Sequence, residues 1–435
     1  MFRLAIVGTT SITPGRKGTG GDALRVLVVA PMPPDPKSPG AIPVGLHALL
    51  QGLSGRNSVT FVSVAGPDPA ELEAASQTAR LGIEVHTVER PQPPGLARWR
   101  RRARLARTWL RGELPWRTIW FAEPGVQDVI DRLTNERRID LIVVEDNAMG
   151  GYRFPRCVPT VLTEYEVRRP RGLARPGGDG TGLAHWAFRE ADWRRWPAYQ
   201  AAIWSRFDRI QVFSSRDADA VRNLTPHLAE RVRVTPFGID LPNLPDPTLE
   251  QPGSVLFIGN FTHPPNVDSA LWLGRELMPR LRRLREGVQL TIVGGYAPRE
   301  VRALAADDVE VTGAVPDVEP YLARASVFLA PIRIGGGMRM KVVYALAMGK
   351  PVVTTPRGAD GLEIAGEAPP LALAEDADGL VRETAFLLGD DTARRSLGTA
   401  ASTFAARHFS ADAYARRVEA TCVEIVRERT RAETL

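Results

Sequence analysis

The segment Val327-Phe-Leu-Ala-Pro-Ile-Arg-Ile-Gly-Gly-Gly-Met-Arg-Met-Lys-Val-Val-Tyr-Ala-Leu-Ala-Met-Gly349 decides how the chain is read. Val327 to Ala330 form a short apolar run that predicts a buried strand, and Met338 to Met348 carry apolar residues at helical spacing. Gly335, Gly336 and Gly337 stand between the two. Glycines there permit backbone conformations and close approaches closed to other residues. The helix they lead into exposes free N–H groups and about half a positive charge at its N-terminus. That dipole favours acidic residues in the first turn, yet Arg339 and Lys341 bring two full cations. Such an inversion is best tolerated when an anion is bound, and a diphosphate matches both the charge and the donor geometry. The alternative is an exposed basic turn. Lysine is scarce in this chain: Lys17, Lys37, Lys341 and Lys350 are the only ones among 56 basic residues. A lysine beside the glycine loop therefore suits a compact point charge rather than a planar fork, unless its position is chance.

Working outward, short β-branched runs alternate with amphipathic stretches on both sides of this segment, the pattern of strand–helix units on a parallel sheet covered on both faces. The predicted strands of the first half are 26–30, 59–64, 85–88, 141–144, 160–163 and 210–214, with helices at 44–53 and 70–81. Residues 168–182 form a Pro/Gly/Arg-rich loop, predicted to move. The proline-rich stretch from Phe237 breaks the alternation and reads as a linker. A second set of strands follows at 255–258, 290–293, 309–312, 327–330 and 352–354, with a helix at 268–284. The loop Ile258-Gly-Asn-Phe-Thr-His-Pro-Pro-Asn266 leaves the first of these and enters a helix near Asn266. By itself its single glycine is equally well a tight turn. The fold class is α/β with two similar halves: a flexible leader over 1–24, one domain over 25–240, a second over 241–410, and a closing helical segment over 411–435. The last carries an apolar stripe of Tyr414, Val418, Val423 and Val426.

Composition narrows the function classes. With 435 residues, 44% hydrophobic and 24% charged, the chain is an ordinary globular one of about two domains, and no apolar stretch approaches the roughly 20 residues that span a bilayer. Cys157 and Cys422 are too few for a disulfide framework or a cysteine metal cluster, which suits a reducing, cytoplasmic location. A net charge of +6 is modest for this length. The run from Arg98 to Arg111, however, packs arginines around Trp99, Leu105, Trp109 and Leu110. It reads either as a solvated helix face or as a basic amphipathic helix on an anionic membrane, which would place the protein at the periphery of the inner membrane surface. No nucleic-acid-binding signature accompanies the charge.

Several strings of the second half resemble the donor domain of family-four retaining glycosyltransferases, which have the two-domain GT-B architecture. These are Phe257-Ile-Gly-Asn-Phe261, Pro265-Asn-Val-Asp268, Ile292-Val-Gly-Gly295, Val311-Thr-Gly-Ala-Val-Pro-Asp317, Ala330 to Lys341, Ala345 to Thr355 and Gly358-Ala-Asp-Gly-Leu362. More loosely, 25–40, 140–145, 163–167 and 207–240 resemble the acceptor domain. The resemblance implies two Rossmann-like doubly wound domains facing across a cleft. It implies transfer of a sugar from a nucleotide-sugar, a substrate rather than a cofactor, to a glycan, lipid-linked or small-molecule acceptor, with retention and without a metal. Arg339 and Lys341 would then stabilise the departing diphosphate. Gly259, Asn260, Gly313, Val315, Gly335, Gly336, Gly337 and Tyr344 would line the donor site, with Gly313 to Pro316 by the nucleobase. The closing helix would cross back onto the first domain. On the acceptor side the candidates are Gly40, in the loop after the first strand, and Glu145 with Asp146, at the end of a strand. The last two equally well cap a helix.

One position departs from the family pattern. The family carries two glutamates eight positions apart, and here they fall on Gly336 and Tyr344; the second would bind the donor ribose. A charged acceptor is worth roughly 1.5–3 kcal/mol against about 1 for a neutral one. The competing readings are therefore a catalytically silent nucleotide-sugar-binding protein and, further off, a sugar-nucleotide epimerase.

Overall fold

The computed structural model of the chain describes residues 23–36, 38, 40–66, 68–91, 94–112, 114–170, 183–335 and 339–434, with side chains to residue 428. The leader over 1–22, most of the 168–182 loop and Gly336 to Met338 thus lie outside the described residues. Two compact units divide the rest: 1–235 together with 414–435, and 236–413.

The first unit is a parallel sheet of β1 (Arg25–Ala30), β2 (Ser58–Ala65), β3 (Glu84–Glu89), β4 (Leu141–Glu145), β5 (Thr160–Glu164), β6 (Arg209–Val212) and β7 (Val232–Val234), in the order β3-β2-β1-β4-β5-β6-β7. Every pairing is parallel, with Val26 beside both Val59 and Leu141. Both faces of the central strands are buried, which is why they read as unbroken apolar runs rather than as alternation. Order reverses between β1 and β4, so the carboxyl ends of these strands open the crevice in which ligands of doubly wound sheets bind.

In the second unit β8 (Ser254–Ile258), β9 (Gln289–Val293), β10 (Val309–Gly313), β11 (Val327–Ala330), β12 (Val352–Thr354) and β13 (Ala372–Leu373) run parallel in the order β10-β9-β8-β11-β12-β13. Phe257, Ile292, Leu329 and Val353 centre its core. This is the two-domain Rossmann-like α/β class read from the sequence.

Departures from the sequence reading have local causes. The strand expected to reach Ser214 ends at Val212, because the Ser214 hydroxyl turns back to cap the next helix by accepting the Asp217 N–H at 3.1 Å. The helix expected over 268–284 begins at Pro264 and is interrupted by a π-turn over Leu273–Leu277. Pro279, which has no N–H to give, follows at once in the helix Met278–Leu284. Edge strands β7 and β13 were too short to leave a pattern. Phe237 and Ile239, read as linker, are buried, and the Ile239 N–H donates to the Phe409 carbonyl.

The last helix, Ala411–Thr434, buries Tyr414, Val418, Cys422 and Ile425, whereas Val423 and Val426 lie only partly covered. From Tyr414 on it belongs to the first unit, where its Glu419, Glu424 and Glu428 pair with Arg56, Arg233 and Arg209. Among the described residues no helix is long and apolar enough to cross a membrane.

Candidate functional site

In the second unit the carboxyl ends of three strands are tied together. The Gly259 N–H donates to Val293 O and the Gly294 N–H to Gly313 O, at 2.9 and 3.0 Å. Gly294 passes so near the Gly259 carbonyl that a Cβ there would lie 1.8 Å from its oxygen, so only glycine fits. Past Gly259, Pro264 opens the helix Pro264–Trp272 as prolines do at a first turn, and Asn266 follows. Its amide nitrogen donates to the Asn260 carbonyl at 2.6 Å, leaving its oxygen to face across the sheet edge.

That oxygen accepts from the Lys341 ammonium, which also sits 4.5 Å from the centroid of the Phe257 ring. Lys341 is the second residue of the helix Met340–Ala347, and Arg339 precedes that helix as its N-cap, its carbonyl accepting the Val342 and Val343 N–H groups. Gly335 adopts φ +98°, and a side chain there would strike Pro265. Its carbonyl accepts from the Arg357 guanidinium at 3.1 Å. The structure therefore brings Gly259, Asn260 and Lys341 together around Asn266, with Gly335 against the adjoining Pro265. Gly336 and Gly337 lie outside the described residues. Gly313 closes β10, and Val315 is partly buried two residues on.

The electrostatics of Lys341 stand out against its neighbours. Arg333, in the same loop, pairs with Asp268 at 2.7 Å and stacks on Trp272. Lys350, the other described lysine with a buried ammonium, is bound by the Ala323 and Ala325 carbonyls. Lys341 has only an amide oxygen and an aromatic face, and among the described residues no carboxylate pairs with it. Burial first, and then the Arg339 charge, push it down to about 7. An anion placed against it would supply the missing countercharge.

Tyr344 lies three residues beyond Lys341 on the same helix. Its hydroxyl donates to Glu319 Oε1 at 2.7 Å; Glu319 opens the short helix Glu319–Arg324. Burial and then that hydrogen bond hold the phenol well above its ordinary pKa. Sequence reasoning missed Phe257 and Asn266 as partners of the lysine, although both stood within the quoted strings. It missed Glu319 altogether, since nothing in a Val-Glu-Pro-Tyr stretch announces a contact with a residue 25 positions on.

The three acceptor-side candidates fall at the carboxyl edge of the first sheet. Gly40 precedes the helix Ala41–Ser54. Asp146 adopts φ +78°, uncommon outside glycine; one carboxyl oxygen caps the turn over Asn147–Met149, and the other binds Arg117 at 2.8 Å. Glu145 is fully enclosed: Thr163 donates to one oxygen and Tyr165 to the other, and burial raises its pKa to about 7. Glu164, ending the next strand, is likewise enclosed and raised to about 7.

Two parallel-sheet units of this order, with a basic glycine loop at the sheet edge of the second, define the GT-B class of architecture. Residues 252–390, which lie within the second unit, match the family model Glycosyl transferases group 1. No curated protein matches the chain in sequence. Among solved structures it is similar to HepE from Anabaena in complex with UDP and glucose, at 13% identity, 92% of this chain, 99% of that one and TM-score 0.61. Sucrose-phosphate synthase from Thermosynechococcus elongatus follows the same fold at 17% identity, 94% and 100% coverage and TM-score 0.62. A Rickettsia africae glycosyltransferase does so at 12%, 93% and 99% coverage and TM-score 0.62. At these identities the likeness is one of fold.

The enclosed acids have a consequence for stability. Glu145 has a folded pKa of about 7, above the carboxyl value of roughly 4.3 in an unfolded chain. The unfolded state thus sheds its proton first, and stability falls as pH rises from about 4.5 to about 7, by roughly 4 kcal/mol at most. Glu145→Gln keeps both hydroxyl contacts available, because Thr163 and Tyr165 can reverse donor and acceptor roles. Its melting temperature should match wild type near pH 5 and exceed it by a few degrees at pH 8; a difference independent of pH contradicts this account.

Proposed function

We propose that the protein moves a sugar from a nucleotide-sugar donor to an acceptor hydroxyl, with retention at the anomeric carbon and without a metal. The observation that carries this reading is the partly buried Lys341 ammonium, held by neutral groups beside a glycine loop. A buried cation without a carboxylate is costly to maintain, and a diphosphate removes that cost when it binds. The family match over the same residues and the UDP found in HepE support the choice of donor. Lys341, Arg339 and the loop N–H groups would stabilise the charge that develops on the leaving diphosphate. The glycines at 259, 313 and 335, with Asn260 and Val315, would give the donor a close backbone bed. Binding of the acceptor, whether glycan, lipid-linked or small, falls to the first unit, where Gly40 and Asp146 sit at the edge of its sheet and Glu145 lies beneath.

A nucleotide-sugar-binding protein without turnover is the competing reading, and it rests on Tyr344. Incubation with a panel of nucleotide sugars and acceptor extracts decides between them. Transfer predicts release of nucleoside diphosphate from at least one donor and a glycosylated product with the donor's anomeric configuration. Binding with no release across the panel contradicts it.

We further propose that the helix Gly95–Arg111 lies on an anionic membrane, which would hold the protein at the inner membrane surface. The structure sorts its apolar residues into two faces. Trp109 packs inward on Phe188 and Asp192, and Leu105 is partly covered. Leu96, Trp99 and Leu110, spaced as one stripe, stay exposed at 79%, 63% and 71%. Arg100, Arg104, Arg107 and Arg111 line one side of that stripe, Arg102 lies on the other and Arg98 stands in the first turn; all six are exposed, without a carboxylate partner among the described residues. A stripe of apolar side chains bordered by cations matches the headgroup boundary of an anionic bilayer. The protein should sediment with vesicles containing an anionic phospholipid at low salt and separate from them at 1 M salt, where the screening length is about 3 Å. Replacing the six arginines by glutamine should abolish sedimentation; sedimentation unchanged by those replacements contradicts the proposal.

A further inference from the structure

The residue expected to bring a carboxylate to the donor, at position 344, is a tyrosine, yet the structure puts a carboxylate at its tip. The Tyr344 hydroxyl donates to Glu319 Oε1 at 2.7 Å. Both residues are partly exposed, so neither is sealed in the core. A phenol has one proton to give. Spent on Glu319, it leaves the phenol oxygen as an acceptor. No second side chain among the described residues bonds the other oxygen of Glu319, which also remains an acceptor. The pair is thus a fixed, acceptor-rich array, and what it suits is a ligand presenting two adjacent O–H donors.

Position narrows the ligand. Lys341 and Tyr344 stand three residues apart on the helix Met340–Ala347, so they share a face about one turn apart, roughly 5 Å along the axis. In a nucleoside diphosphate the ribose is joined to the phosphates through a single ester linkage. A diphosphate against Lys341 therefore leaves the two vicinal hydroxyls of its ribose within reach of the next turn. The carboxylate itself comes from a different element, the start of the helix Glu319–Arg324, and residue 344 aims it.

Resting on the donor reading above, we propose that Glu319, aimed by the Tyr344 hydroxyl, accepts hydrogen bonds from the ribose 2′- and 3′-hydroxyls of the donor. Glu319 is the binding group and Tyr344 its positioning residue. The chain thereby keeps a charged acceptor at the ribose although position 344 has lost one.

Calorimetric titration of the full chain with UDP and with 2′,3′-dideoxy-UDP tests this, with GDP and ADP and their dideoxy forms run alongside. Wild type should prefer the ribose form of the base it binds by about 10- to 100-fold, since each hydroxyl meets a charged acceptor. Glu319→Ala should erase that preference while leaving the dideoxy affinity within about twofold. Glu319→Gln, which keeps the shape and one acceptor, should retain part of it and guards against a folding defect in the alanine variant. Tyr344→Phe should reduce the preference without erasing it. In the Glu319→Ala background, Tyr344→Glu should restore it, an outcome that a purely structural role for either residue does not produce. Tight binding with no ribose preference in wild type, or a preference that survives Glu319→Ala, overturns the proposal alone. If wild type binds no nucleoside diphosphate, the donor reading falls and takes the proposal with it.

Discussion

A cation held against an amide oxygen and an aromatic ring, with no carboxylate partner among the described residues, is the constraint around which the second unit is arranged. Removing an ammonium from water costs several kcal/mol unless charge of the opposite sign replaces the solvent. Around Lys341 the glycines, the close approach of Gly294 to Gly259 and the amide of Asn266 all serve to bring backbone and neutral groups near, while Asp268 is paired with Arg333. The unit is in this sense incomplete without an anion. Under the function proposed above, that anion is the diphosphate of a sugar donor.

The first unit answers a different problem. Its sheet ends in Glu145 and Glu164 on adjacent strands, both enclosed and both shifted toward neutrality by burial. Their oxygens are taken up by Thr163, Tyr165, Asn147 and Trp204. These acids organise the sheet edge from below, and Asp146, buried like them, adopts a positive φ and is bound to Arg117. A backbone outlier at the carboxyl edge of a doubly wound sheet is where ligand contacts collect.

Much of this was legible in the sequence because parallel strands buried on both faces leave continuous apolar runs. Val26 to Ala30 and Val327 to Ala330 were placed to within a residue. What escaped were features set by tertiary contact. The two short edge strands have no pattern of their own; the π-turn before Pro279 is a local compromise; and the stripe of the last helix runs through Cys422 and Ile425 because the neighbouring sheet, not periodicity alone, chooses the buried side. At the site, the inverted charge of the helix start announced Lys341, whereas Arg339 proved to be the residue before the helix. Tyr344 read as a loss, because a motif records which residue stands at a position and not which neighbour its side chain reaches.

Lys341→Met tests most directly whether Lys341 is the ammonium that meets the phosphate, since methionine keeps the apolar stem and removes the charge. Titrated with the nucleoside diphosphate that wild type binds, the variant should lose 10- to 100-fold in affinity, roughly 1.4 to 2.7 kcal/mol, with a melting temperature unchanged or raised by removal of a buried cation. Wild-type affinity in the variant would contradict the account.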